Sequence, residues 1–166
     1  MDEEIGGMGI GATITHLWRI KKSNLWLGPS VTLSTIPKET LDFRAVDNTE
    51  IETSGYAFHF NLMANYYLTP NSKFQTYVSA TAGYESLSVD IKKDNFNVAP
   101  GSSPIHTTSS ESSSGFIGSL GLGVERKFGD TAIGLEARVH NASRGDALKD
   151  SNKTFYSALL KFSWKI

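Results

Sequence analysis

Apolar and polar residues alternate with period two along most of the chain. Between 115 and 128, Phe116, Leu120, Leu122, Val124 and Phe128 hold one parity, and Ser119, Gly121, Gly123, Glu125 and Lys127 hold the other. After Gly129-Asp130 the alternation resumes, with Ile133, Leu135, Ala137 and Val139 set against Gly134, Glu136, Arg138 and His140. Successive side chains of a β-strand point to opposite faces, so these residues predict a hairpin with one apolar and one polar face. Five further segments alternate in the same way: 5–20, 25–36, 55–68, 74–91 and 154–166. The parity of the fourth, 74–91, slips near Ser86–Val89, which predicts either a bulge or the point where the strand changes environment. No segment has a helical period of comparable strength.

The connections fall into two kinds. Those at 21–24, 69–73 and 129–131 are short and carry Gly, Asn, Asp, Ser or Pro, the residues of tight turns. Those at 37–54, 92–113 and 142–153 are long and polar, the second containing the serine-rich HTTSSESSS. Short and long connections in alternation put all the turns at one end of an antiparallel meander and all the loops at the other. The predicted fold is all-β, a single up-and-down barrel over residues 1–166.

Two readings of the faces are open. A soluble, lipocalin-like ligand-binding barrel would turn the apolar face inward. Three patterns favour the inverse, a transmembrane barrel. The polar parity is rich in glycine, including Gly9, Gly11, Gly28, Gly83, Gly121, Gly123 and Gly134, which a crowded lumen needs and a water-facing strand does not. Aromatics close both ends of the apolar parity: Tyr56 with Tyr66, Phe74 with Tyr84, Phe116 with Phe128, and Tyr156 with Trp164, joined by Trp18. Ten residues at roughly 3.3 Å each, tilted by about 40°, span about 25 Å, the height of the apolar band of an outer-membrane barrel. The charges on the polar parity, Glu85, Glu125, Lys127, Glu136, Arg138 and Lys161, have both signs and form a candidate lumenal network.

Composition narrows the function classes. The net charge of −1 and the scattering of lysines and arginines along the chain give no footprint for a nucleic acid. The absence of cysteine excludes thiol chemistry and disulfides. No apolar run is long enough for a membrane-spanning helix, which leaves transmembrane strands open.

The hairpin GLGVERKFGDTAIGLEARV and the C-terminal strand FYSALLKFSWKI resemble the small bacterial outer-membrane β-barrels: outer-membrane protein A, the Ail/Lom proteins and the opacity-type proteins. The terminal strand is apolar on alternate positions and aromatic near its end, although it closes on Ile166 with Trp164 two residues earlier, where the family usually ends in Phe or Trp. The resemblance implies residence in the bacterial outer membrane, contact with lipid bilayer and lipopolysaccharide, and a structural or adhesive role in which the long loops meet a host or surface ligand. It also implies an even strand count, so the seven visible strands are those of an expected eight, the missing one lying before residue 5.

Candidate chemistry is sparse. VHNASRG, residues 139–145, resembles the His-x-Ser stretch of the outer-membrane lipid A deacylases, which makes His140 and Ser143 the alternative, enzymatic candidates. The spacing is three rather than two, Thr154 and Phe155 stand where an acid is needed, and the parity of His140 points inward. The expectation is therefore no enzyme. Arg144-Gly145-Asp146 in the same loop resembles an integrin-recognition tripeptide and is the candidate outer contact. His16, His59, His106 and His140 fall on four different elements without ligand spacing, so neither a metal nor a cofactor is expected.

Overall fold

The computed structural model of the chain describes residues 8–42, 49–95, 105–144 and 153–166. It contains seven strands: β1 (Met8–Arg19), β2 (Leu25–Asp42), β3 (Thr49–Tyr67), β4 (Phe74–Asn95), β5 (Ile105–Phe128), β6 (Thr131–Arg144) and β7 (Lys153–Lys165). They close into a barrel in sequence order. Each strand is antiparallel to the next, but β1 and β7 pair in parallel, from Met8 with Tyr156 to Leu17 with Lys165. That seam follows from the count: in an odd ring of alternating strands the first and last run the same way. The strand expected before residue 5 falls outside the described residues, and the ring closes through the β1·β7 seam.

The short connections are tight turns at one end of the barrel. Lys21 adopts φ 49° in the first, and Gly129 φ 61° in the third, where glycine bears the left-handed conformation without strain. At the other end the strands run further than their polar composition predicts. The segment expected as a long loop over 92–113 is largely strand, since β4 continues to Asn95 and β5 begins at Ile105, and 37–54 is likewise shortened by β2 and β3. Cross-strand side-chain bonds support this extension: Ser110 Oγ donates to Asp90 Oδ1 at 2.6 Å, and His106 Nδ1 lies 2.7 Å from Asp94 Oδ1.

The parity slip at Ser86–Val89 is a change of environment. The register of β4 with β3 and β5 runs through it unbroken, and the shift in this part of the sheet lies instead on β2, between Ile36 and Glu39. Beyond Tyr84 the faces exchange character. Leu87 and Val89 are buried against Ala57, with Ile91 beside them, while Ser86 and Asp90 face outward.

Below that point the inside is polar. Among the described residues twenty-two buried side chains are polar or charged and only eleven are hydrophobic, the reverse of a soluble core. The apolar parity faces outward, with Leu62, Leu120, Leu122 and Leu135 about two-thirds exposed at 64, 65, 65 and 64 %. Glycine makes room inside. A Cβ on Gly123 would collide with the Tyr77 ring, and one on Gly121 would stand 2.8 Å from Glu136 Oε1.

Candidate functional site

The lumen holds two layers of polar side chains. The layer nearer the turns is a continuous charge network built from β5, β6 and β7, with tyrosines from β3 and β4. Glu125 on β5 accepts a hydrogen bond from Tyr67 Oη at 2.8 Å and from Ser163 Oγ at 3.3 Å, and pairs with Lys165 Nζ. Glu136 on β6 accepts from Tyr77 Oη at 2.9 Å, from Arg138 Nε at 2.6 Å and from Ser79 Oγ. Lys161 Nζ joins the two carboxylates, 3.8 Å from Glu125 Oε2 and 3.7 Å from Glu136 Oε2. The ammonium groups also lie over ring faces, Lys161 3.9 Å from the Tyr77 centroid and Lys165 4.1 Å from that of Tyr67.

Every charge in this layer has an opposite charge, as buried ions require, and all but Lys161 also have hydrogen bonds; the Lys161 ammonium has two carboxylates and the Tyr77 ring. Lys165 extends the network toward the turns by donating to Gln75 Oε1 at 2.5 Å, and Gln75 donates in turn to the Pro70 carbonyl. Arg138 extends it the other way, with Nη1 3.3 Å from Thr32 Oγ1.

The second layer lies toward the loops. His59 Nε2 on β3 stands 3.1 Å from Glu85 Oε2 on β4. His140 on β6 meets His59 edge-on with ring centroids 5.4 Å apart, and stacks on Phe155 at 4.5 Å. Its Nε2 lies 2.7 Å from Ser157 Oγ on β7.

No protein-family model matches this chain, and no curated protein matches it in sequence.

The geometry brings Glu125, Glu136, Arg138 and Lys161 together and separates the other two candidates. Glu85 belongs to the histidine layer. Lys127 keeps the inward parity but is exposed, because β5 has passed the floor of the ring there and its backbone N–H bonds to Lys73 O at 3.0 Å in the turn region. Lys165, Tyr67 and Tyr77 were not singled out by sequence reasoning, and His59 was weighed only as a metal ligand. All four lie on the polar parity of their strands, which is the signal that marks them.

His140 and Ser143 are not brought together. Ser143 is exposed on the outer face opposite Phe116, while His140 is buried and engages Ser157. The His140–Ser157 contact is also short of a triad, since His140 Nδ1 has no hydrogen-bond partner among the described residues and so lacks the carboxylate that would orient it. Among the described residues no group of three His, Cys, Asp or Glu is placed to hold a metal ion.

Arg144 is the last residue of β6, and Gly145 and Asp146 lie outside the described residues. The nine boundary aromatics, Trp18, Tyr56, Tyr66, Phe74, Tyr84, Phe116, Phe128, Tyr156 and Trp164, all face outward and are exposed.

Proposed function

We propose that the chain is an integral β-barrel of a bacterial outer membrane, with a lumen sealed by paired side chains and a structural or surface-contact role rather than enzymatic turnover. One observation carries this reading: the barrel is inside-out between two aromatic rings, and its polarity reverts beyond one of them. Between the rings the outer wall is apolar and the lumen charged. Past Tyr84 the outer face becomes Ser86 and Asp90, and the inner face Leu87 and Val89. A bilayer explains the change at that level, because strands need an apolar exterior only within the hydrocarbon. A soluble barrel has no reason to invert there.

The surface-contact part of the reading rests on the strand extensions. β2, β3, β4 and β5 rise past the loop-end aromatics and form a sheet whose outer members carry Ser, Thr and charged residues. Such a sheet is a platform for contact outside the membrane.

Reconstitution into phospholipid vesicles tests the reading. Carbonate washing should leave the protein with the vesicles, and added protease should trim only segments beyond the aromatic rings. A monodisperse protein in plain buffer that does not partition into vesicles would contradict it.

A further inference from the structure

The basic residues, scattered along the chain, are gathered by the topology. Six of the sixteen lysines and arginines, Arg19, Lys21, Lys22, Lys73, Arg126 and Lys127, stand exposed at the turn end, where Asp130 is the one exposed acid among the described residues. The described segments beyond the opposite aromatic ring, 37–42, 49–54, 86–95, 105–114, 142–144 and 153, carry seven acids against five bases. A formal net charge of −1 thus conceals a strongly basic collar at one end and an acidic excess at the other.

The collar is fixed by its neighbours and, among the described residues, has no acidic partners. Arg126 pairs in register with Phe74 and holds its guanidinium 5.6 Å from the centre of that ring and 5.1 Å from the centre of Phe128. The Lys127 backbone N–H donates to the carbonyl of Lys73 at 3.0 Å, which sets two lysines side by side. Arg19 bonds through Nε to the Ser23 carbonyl at 2.8 Å across the first turn. None of the six is in an ion pair among the described residues. The turn-end aromatics Trp18, Tyr66, Phe74, Phe128 and Trp164, all outward, stand at the same end, with Arg126 level with Phe74 in the register and two residues before Phe128.

We infer that this collar binds anionic phospholipid headgroups in the leaflet at the turn end of the barrel. Aromatic side chains at the membrane interface place the cations at headgroup depth, where each basic residue near an anionic surface contributes about fivefold to affinity. A guanidinium laid against two outward rings presents its free edge to a phosphate, which it can meet with paired donors. An acidic protein or a nucleic acid would need the cations without the adjoining apolar wall, and the wall is continuous with them. The inference rests on the membrane reading above.

The test uses the full chain in bilayers containing spin-labelled phosphatidylglycerol or phosphatidylcholine, and reads the motionally restricted lipid at the protein boundary. Phosphatidylglycerol should be preferred roughly tenfold near 10 mM salt, and the preference should vanish near 1 M salt, where charges are screened within about 3 Å. Replacing Lys21, Lys22, Arg126 and Lys127 with glutamine should abolish it, while the loop-end pair K92Q/K93Q should keep it. Equal association of the two lipids with the native chain would overturn the collar and leave the membrane reading intact, as would an equally strong preference in the fourfold variant. No restricted lipid of either kind would instead overturn the membrane reading itself. A protein that retained heparin but showed no lipid preference would assign the collar to a soluble polyanion and refute the inference.

Discussion

Lys161 and Glu136 face each other inside the barrel on adjacent strands, fully buried, with 3.7 Å between Nζ and Oε2. Neither is an isolated pair, since Lys161 also approaches Glu125 and Glu136 also accepts from Arg138, Tyr77 and Ser79. A network of this kind fills the part of the lumen that lies below the apolar cluster of Ala57, Leu87 and Val89.

Removing one member should therefore be costly. E136Q leaves Arg138 and Lys161 short of a counter-charge and should destabilise the barrel by about 3 kcal/mol, and K161M should cost a similar amount. The double variant should lose less than the sum, because each single change already breaks the shared contact. Urea unfolding in detergent micelles measures all three, and additive losses would show that the two residues act separately.

The outer wall should respond to charge by depth. L122R places a cation midway between Phe116 and Phe128 and should cost about 2–4 kcal/mol in a bilayer, whereas S86R, past Tyr84, should stay within about 0.5 kcal/mol. Vesicle refolding yields and unfolding midpoints check the pair. Equal tolerance at both positions would mean that Leu122 does not face lipid.

Much of this was legible in the strand parities. The β5–β6 hairpin has the faces expected of it, with Leu120 and Leu122 outward and Glu125, Glu136 and Arg138 inward. The extension of β5 was not legible, because Thr107 to Ser114 has neither alternation nor β-rich composition and is held as strand by its partner β4. Nor could the contact of Glu125 with Lys165 be read from neighbouring strands, because it crosses the lumen from β5 to β7 over β6. The inward parity of His140 was legible, but the place of Ser143 on the outer face of a longer β6, and the His140–Ser157 and His59–His140 contacts, needed the register and the closed ring.

Two glycine substitutions should separate crowding from backbone conformation. G123V drives a side chain into the Tyr77 ring and should prevent native assembly, whereas G129A meets nothing within 4 Å and bears only the cost of φ 61°, about 1 kcal/mol. Heat-dependent mobility on electrophoresis distinguishes folded from unfolded barrel. Native mobility of G123V would show that the lumen has slack there.

The enzymatic alternative has a direct check. H140A should destabilise by about 2–3 kcal/mol through loss of the Phe155 stack and the Ser157 contact, while S143A, outward and exposed, should be neutral. Mass analysis of lipid A from cells making the native chain, H140A or S143A should find the same acylation in all. Deacylation by the native chain that either variant abolished would restore a catalytic role.

Tryptophan quenching by brominated lipids reaches the inside-out wall most directly. Trp18 and Trp164 face outward among the turn-end aromatics, whereas Trp26 lies half-buried with its ring 6.2 Å from that of Tyr67. Chains keeping one tryptophan each, the others changed to Phe, would be placed in vesicles brominated at graded depths. Strong quenching of Trp18 and Trp164 by shallow bromines, with Trp26 spared, is the expected result; emission from Trp18 and Trp164 that no brominated lipid quenches would show that the apolar outer wall does not face lipid.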